Sequence, residues 1–279
     1  MDKSFLWGRF VISSTVDNLV DNQPKFVDKK VLLSPYLARI MNGHRQSWRK
    51  LVLETLDFEV SEKSPGDPVT IIDLAISNDV KEITVQEKLH FYSEEEARDW
   101  KLPLIIIDPI DGTRELIERR PECAVSVALI KNWDFASNEN EGWIFNPFTD
   151  ETFTQESIKS KLSGEKLVGY VSRSEWKNDL YKNISESQIE LKAVGSIAYK
   201  LALLSHGKID FVVSLKPKNI WDIAAGTILC KKIGLEFYSE GKRVTQITNE
   251  LYRPPLIWCN PTSFSFLSEI FSSHSGKDR

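Results

Sequence analysis

Two aspartates stand close together where a short apolar run ends, in the sequence Asp108-Pro109-Ile110-Asp111-Gly112-Thr113. The proline fixes one backbone angle and the glycine permits unusual ones, so the segment predicts a turn with two carboxylates and an exposed carbonyl. Carboxylate and carbonyl oxygens are the ligands that Mg²⁺ prefers, and the ion keeps open positions for water and phosphate. The turn therefore predicts a magnesium site.

The residues after this turn predict a helix over 114–120, with an acidic residue early and basic residues late, as the helix dipole favours. Main-chain N–H groups of Gly112 and Thr113 at its start could bind a phosphate group. The simpler alternative is that Asp111 only caps this helix while Asp108 belongs to the turn.

Further acidic residues occupy positions that suit metal binding. The triplet 94–96 follows an apolar pair, Asp73 forms a predicted capping box with Thr70, and Asp222 begins a predicted helix. Each has an ordinary alternative when taken alone: a solvated acidic face for the triplet, a helix cap for Asp73, and dipole compensation for Asp222. Only their combination favours a shared site.

Hydrophobic periodicity places these residues on a mixed α and β framework. Helices are predicted over 35–56, 69–85, 198–205 and 223–232, and strands over 104–107, 124–130, 142–145, 167–171, 209–213 and 235–238. Alternation in the second half is typical of α/β layers. We expect an amino-terminal half, 1–160, with most metal ligands and an extra segment over the first 30 residues. A second half, 161–279, would carry Asp222 and the substrate contacts. The boundary segment 156–166 could instead be a long surface loop.

Composition excludes several classes of protein. The 279 residues are 41% hydrophobic and 27% charged, as in a globular protein with a large core. A net charge of −4, with both signs scattered, argues against a nucleic-acid polymer as partner. Three widely spaced cysteines favour a reduced cytoplasm. Arg9 interrupts the first apolar stretch, and no segment approaches the ~20 apolar residues of a membrane span, so we expect a cytoplasmic protein without a membrane partner.

Taken together, the motifs resemble the inositol monophosphatase family in order and spacing. The matching segments are 69–73, 93–95, 108–113, 142–153, 195–200 and 221–226, within a region from about 35 to 241. The resemblance implies a layered αβαβα sandwich, of the α+β or α/β class, like that of inositol monophosphatase and fructose bisphosphatase. It also implies a metal site between the two halves.

Position in the motifs implies a role for each residue. The resemblance assigns metal binding to the side chains of Asp73, Glu95, Asp108, Asp111 and Asp222 and to the carbonyl of Ile110. Glu95 and Thr113 would orient the attacking water with help from Asp73, and Glu94 replaces Glu95 if the alignment slips by one. Substrate contacts are assigned to Gly112, Thr113, Asp222, Gly195, Ser196 and Lys200. Six converging carboxylates, counting both Glu94 and Glu95, would raise one another's pKa values unless two or three Mg²⁺ ions neutralised them.

The implied activity is Mg²⁺-dependent hydrolysis of a small phosphate ester by water. The segments 93–96 and 111–122 resemble the bacterial 3'(2'),5'-bisphosphate nucleotidase branch, whereas Ala198 resembles the inositol branch. Glu175 stands where nucleotidases often carry histidine. We expect a nucleotide bisphosphate such as 3'-phosphoadenosine 5'-phosphate as substrate. Inositol 1-phosphate or a related sugar phosphate is the alternative.

Three lysines could hold the second phosphate of such a substrate: Lys200, Lys216 and Lys218. The alternative is that they are ordinary exposed lysines. A catalytically silent protein that binds metal or phosphate is a hypothesis of another class, and the presence of every expected carboxylate argues against it. Because the family often forms dimers, a homodimer stays open.

Overall fold

The apolar run that ends in the two aspartates forms an inner strand of a five-stranded sheet. A computed structural model describes residues 36–55, 60–64, 67–96, 100–156, 166–182, 184 and 189–272. Its helices are α1 (Tyr36–Asn42), α2 (Arg45–Glu54), α3 (Ile71–Gln86), α4 (Thr113–Ile117), α5 (Arg173–Lys177), α6 (Ile197–Ser205), α7 (Ile220–Lys232) and α8 (Phe264–Ser272), with a short 3-10 helix, Pro261–Ser263. Its strands are β1 (Val60–Ser64), β2 (Asp67–Thr70), β3 (His90–Ser93), β4 (Leu104–Asp111), β5 (Ala124–Ile130), β6 (Glu141–Asn146), β7 (Glu151–Thr154), β8 (Leu167–Ser172), β9 (Ile189–Val194), β10 (Phe211–Ser214), β11 (Glu236–Ser239), β12 (Lys242–Arg243) and β13 (Leu256–Cys259).

The first sheet has the order β3-β4-β5-β6-β7, with β3 parallel to β4 and the other pairs antiparallel. Side chains of β4 alternate between two cores: Leu104 and Ile106 face one, and Ile105 and Ile107 face the other. Because both faces of the sheet are covered, the strand is an uninterrupted apolar run rather than an alternating one.

The second sheet has the order β12-β11-β13-β10-β8-β9. Its strands β8, β9 and β10 are parallel. Strand β13 is antiparallel to both β10 and β11, and β12 is antiparallel to β11. A separate hairpin, β1-β2, leads into α3. The predicted strands over 167–171, 209–213 and 235–238 all belong to the second sheet, whereas β9, β13 and α8 were not predicted.

Three apolar clusters define the layers. Helices α1, α2 and α3 pack on one face of the first sheet, α6 and α7 fill the space between the sheets, and α8 covers the far face of the second sheet. The predicted αβαβα sandwich is confirmed. No helix in the described ranges is long and apolar enough to cross a bilayer.

Small residues let α7 approach its neighbours closely. A Cβ atom on Gly142 of β6 would lie 2.5 Å from the carbonyl oxygen of Ala225, and one on Gly226 would lie 2.4 Å from Cβ of Leu201 on α6. Neither position has room for a side chain unless α7 shifts. The small residues therefore set the distance between α7 and both of its neighbours.

Two predicted helices differ from the observed ones. The helix predicted over 35–56 is split into α1 and α2 at Gly43, a residue that disfavours a continuous helix. The helix predicted over 114–120 ends at Ile117, because Arg119 adopts φ +54° and donates from Nη1 to the carbonyl of Val52 at 2.7 Å. A tertiary contact with the end of α2 thus replaces the last turn of the helix.

Parts of the predicted domain organisation lie outside the described residues. These are the extra segment over the first 30 residues and positions 157–165 of the boundary. Every strand of the first sheet precedes Gln155 and every strand of the second follows Lys166. The division into two halves stays a prediction.

The contact between β6 and α7 can be tested by adding one methyl group. Gly142→Ala is expected to lower the free energy of unfolding by about 1–3 kcal/mol, because the new Cβ collides with main-chain atoms of α7. Gly43→Ala is the control, since its Cβ would meet only one atom at 3.5 Å. Chemical denaturation measures both variants. Equal stability of the two would contradict the packing argument.

Candidate active site

A polar cavity of about 270 Å³ opens where the first sheet meets the ends of α6 and α7. It is lined by Pro68, Glu94, Asp108, Ile110, Asp111, Gly112, Thr113, Arg114, Glu115, Ser172, Ser196, Ile197, Lys200, Lys218 and Asp222. The lining contains every predicted site residue except Asp73, Glu95, Gly195 and the candidate lysine Lys216. Chain segments more than 100 residues apart in the sequence thus converge on one cavity.

The turn after β4 presents its carboxylates through a local irregularity of the strand. Pairing with β5 shifts register between Asp108 and Asp111, and the N–H of Ile110 donates to Asp108 Oδ1 at 3.0 Å. Gly112 adopts φ +97°, and a Cβ there would lie 3.1 Å from the carbonyl oxygen of Glu122. Both the backbone angle and this close approach require glycine.

Asp73 is buried beside the cavity and connects α3 with the turn. The predicted capping box is confirmed: Asp73 Oδ2 accepts from the N–H of Thr70 at 2.8 Å. Its other oxygen, Oδ1, lies 3.2 Å from the hydroxyl of Thr113, which also lies 3.1 Å from the carbonyl of Ile110. Asp73 therefore caps a helix and orients the hydroxyl of Thr113 at the same time.

From the acidic triplet, Glu94 lines the cavity and Glu95 does not. The N–H of Glu94 donates to the carbonyl of Ile107 at 3.2 Å, which ties it to β4 as that strand approaches the aspartates. The N–H of Glu95 donates to Ser93 Oγ at 3.2 Å. Both glutamates lie in the turn that follows β3, where the N–H of Glu96 donates to the carbonyl of Ser93 at 3.3 Å, and this turn directs Glu94 to the cavity.

Asp222 reaches the cavity from the start of α7. It forms a capping box with Asn219, whose N–H donates to Asp222 Oδ2 at 3.0 Å. Burial raises the pKa of Asp222 to about 7, an effect that Lys218 opposes and that Asp111 and Glu94 increase. Asp222 therefore lies at the positive end of the α7 dipole, as predicted, and also lines the cavity.

Asp108 is the most deeply buried carboxyl group of the cavity lining, with 2% of its surface exposed. Burial raises its pKa well above the usual range, and the charges of Glu94, Asp111, Asp222 and Asp73 raise it further. A carboxylate is stable in such surroundings only when a positive charge compensates it.

Asp111 caps a helix, but a different helix from the one considered in the sequence. Its Oδ2 accepts from Ser196 Oγ at 2.7 Å and from the N–H of Ala198 at 2.5 Å, both at the start of α6. The alternative in which Asp111 only caps α4 is therefore wrong. Gly195 does not line the cavity but precedes Ser196 in this turn.

The three candidate lysines lie in different surroundings. Lys200 is buried, so its interpretation as an exposed surface lysine is wrong. Its Nζ donates to the carbonyls of Val194 at 2.9 Å and Gly195 at 3.2 Å, and burial lowers its pKa to about 8. Lys218 lines the cavity, whereas Lys216 is exposed and does not.

Three residues near the cavity were not among the predicted site residues, although two of them, Glu115 and Glu122, lie in the segment 111–122 that resembles the nucleotidase branch. Ser172 and Glu115 line it, and Glu122 accepts from the N–H of Gly195 at 2.7 Å. Burial raises the pKa of Glu115. A single serine at the end of a strand gives no functional signal in one sequence, whereas the resemblance of 111–122 could have directed attention to the two glutamates.

The donor set of the cavity fits Mg²⁺. Hard oxygen donors are what the ion requires, and the buried, mutually repelling carboxyl groups of Asp108 and Asp222 require positive charge. Among the described residues, no three Asp, Glu, His or Cys side chains are arranged to hold a metal ion by themselves. Ile110, whose main-chain carbonyl is a further oxygen donor, also lines the cavity.

The raised pKa of Asp222 predicts how pH affects stability without metal. A carboxyl group with a raised pKa binds more protons when folded, so stability falls as pH rises from about 4, its unfolded value, to about 7. In EDTA, the melting temperature of the wild type should fall more between pH 5 and pH 8 than the melting temperature of Asp222→Asn. Differential scanning calorimetry measures this difference.

Added Mg²⁺ should raise the melting temperature more at pH 8 than at pH 5, because protons compete for the same carboxylates. An equal rise at both values would contradict a carboxylate site.

Comparisons with known proteins identify the family of this chain. The sequence model of the inositol monophosphatase family matches residues 38–257. The 3'(2'),5'-bisphosphate nucleotidase CysQ of Escherichia coli K12 is 25% identical over 224 residues, which cover 72% of this chain and 88% of CysQ. The Nus factor SuhB of the same strain is 26% identical over 211 residues, which cover 63% of this chain and 73% of SuhB.

Among solved structures, the IMPase TM1415 of Thermotoga maritima superimposes with a TM-score of 0.70 at 22% identity, covering 85% of this chain and 98% of that chain. This likeness shows the shared fold. Because the family model covers well over half of the chain, the protein belongs to the inositol monophosphatase family and is a phosphatase that acts on phosphate esters.

Proposed function

We propose that the protein uses two or three Mg²⁺ ions to hydrolyse a small phosphate monoester, most favourably a nucleoside 3'(2'),5'-bisphosphate. The observation that carries the proposal is the convergence of Glu94, Asp108, Asp111 and Asp222 on one cavity. These side chains and the carbonyl of Ile110 would hold the metal. When bound, Mg²⁺ would polarise the phosphoryl oxygens and acidify a water molecule.

Thr113 would orient the attacking water. Its single hydroxyl proton can go to Asp73 Oδ1 or to the carbonyl of Ile110, which leaves the oxygen lone pairs as acceptors facing the cavity. Asp73 is fixed by Thr70 and thereby fixes the hydroxyl. We assign the second orienting role to Glu94 instead of Glu95, because Glu94 lines the cavity.

The phosphate would lie against the turn that follows β4. Gly112 and Thr113 line the cavity there, and their N–H groups are donors suited to phosphoryl oxygens. Hydrogen bonds from the N–H of Ile110 to Asp108 and from the hydroxyl of Thr113 to Asp73 or the carbonyl of Ile110 hold this turn in place. The N–H donors would need little rearrangement as charge develops during the reaction.

Two lysines support a second phosphate on the substrate. Lys200 and Lys218 both line the cavity, and they are close enough that Lys218 contributes to the lowered pKa of Lys200. Two neighbouring cations at one end of a cavity favour an additional anionic group there. The choice of a bisphosphate depends on these lysines, because CysQ and SuhB match this chain at similar identity, 25% and 26%.

The choice between the two glutamates can be tested with one matched pair. Glu94→Gln should lower kcat/KM by at least about 100-fold, because it removes a metal-binding oxygen and a charge. Glu95→Gln should change it by less than about threefold, since this side chain is outside the cavity lining. Steady-state kinetics with saturating Mg²⁺ measures both. The reverse order would return the ligand role to Glu95.

The substrate can be tested with a panel of 3'-phosphoadenosine 5'-phosphate, adenosine 3'-phosphate and inositol 1-phosphate. Lys218→Met should raise KM for the bisphosphate about fivefold to tenfold and leave KM for the two monophosphates nearly unchanged, because only the bisphosphate has a second anion. Lys216→Met is the matched control and should have little effect on any of them. A wild type that prefers inositol 1-phosphate would reverse the substrate assignment.

A further inference from the structure

The turn that begins α6 has an unfavourable conformation that its surroundings impose. Ser196 adopts φ +47°, a region that non-glycine residues rarely occupy. Such a conformation persists only where neighbouring groups fix the chain. The groups that fix residues 194–196 are therefore candidates for a function of their own.

Contacts from two directions hold this turn. The N–H of Gly195 donates to Glu122 Oε2 at 2.7 Å, and Lys200 Nζ donates to the carbonyl of Val194 at 2.9 Å. The same Glu122 oxygen accepts a hydrogen bond from Arg173 Nη2. Side chains of Glu122 and Arg173 are 24% and 25% exposed, so solvent screens this ion pair only partly.

Glu115 closes the remaining side. A Cβ atom on Gly195 would lie 2.4 Å from Cδ of Glu115, and Arg173 Nε lies 3.8 Å from Glu115 Oε1. Arg173 thus stands between two carboxylates that both touch the turn. A side chain at position 195 would displace the carboxyl end of Glu115.

The turn 194–196 also determines the orientation of Asp111. Ser196 Oγ and the N–H of Ala198 both donate to Oδ2, and no hydrogen bond among the described residues engages Oδ1. Asp111 therefore has one oxygen bound to α6 and the other available in the cavity. A shift of the turn would rotate the carboxylate and move both oxygens.

We propose that Glu122 and Arg173 are positioning residues for Mg²⁺ binding, acting through the turn 194–196 on Asp111. The inference rests on the proposed function, in which Asp111 binds the metal. Glu122 is well placed for this, because its carbonyl also lies against Gly112 on the other side of the site. Glu122 therefore contacts both the turn after β4 and the turn that begins α6.

Isothermal titration of Mg²⁺ into the full-length protein tests this role without relying on turnover. Glu122→Ala should weaken Mg²⁺ binding about tenfold or more, since losing a group that orients a metal ligand typically costs 10–100-fold in affinity. Glu122→Gln keeps an acceptor for the N–H of Gly195 but loses the charge, so its loss should be smaller. Arg173→Met should resemble Glu122→Gln.

Glu118→Ala is the matched control. Glu118 forms an ion pair with Arg120 on the same short stretch of chain, and it is exposed. We expect wild-type Mg²⁺ affinity from this variant. If Glu118→Ala weakens binding as much as Glu122→Ala, the effect is general electrostatics and the positioning role is overturned.

Folding of each variant is checked by its melting temperature in EDTA. If Glu122→Ala does not fold, the nearly isosteric Glu122→Gln decides: Mg²⁺ affinity within twofold of wild type would overturn the inference. Failure of the proposed function gives a different result, because the wild type itself would then neither bind Mg²⁺ nor hydrolyse any phosphate ester of the panel.

Discussion

The site depends on holding mutually repelling, buried carboxylates close together, and main-chain N–H groups stabilise these charges by donating hydrogen bonds. Asp73, Asp108, Asp111 and Asp222 each accept a hydrogen bond from one, donated by Thr70, Ile110, Ala198 and Asn219 respectively. Three of these donors belong to the starts of helices α3, α6 and α7, where the helix dipole also favours negative charge. The carboxylates are thereby stabilised and fixed in direction at once.

The layered fold is what brings these helix starts together. The layer formed by α6 and α7 lies between the two sheets, so its amino-terminal ends approach the turn after β4, which belongs to the first sheet. Helix α3 approaches the same turn from the opposite face of that sheet. A site built from three layers exists only when the sandwich is complete, and binding at the site is therefore coupled to global stability.

Local patterns in the sequence predicted the local parts of the site. The turn at 108–113 and the capping box of Thr70 and Asp73 involve neighbours in sequence, and both formed as expected. The choice between Glu94 and Glu95 was harder, because both lie in the turn after β3, where no strand or helix periodicity fixes the direction of a side chain. Contacts of Glu122 with residues 51 and 73 positions away cannot be found from periodicity in a single sequence. Burial of Lys200 was unexpected for the same reason, since only the tertiary fold encloses it.

The close contacts of α7 give the helix that carries Asp222 little freedom to move. At Gly142 of β6 a Cβ would lie 2.5 Å from the carbonyl oxygen of Ala225, and Gly226 packs directly against the side chain of Leu201 on α6. Because α7 has no room to shift by itself, any loosening of the layer formed by α6 and α7 would also displace the carboxylate of Asp222 at the start of α7. Loss of activity on heating should therefore follow loosening of this layer, because the position of Asp222 and the packing of the fold depend on the same contacts of α7.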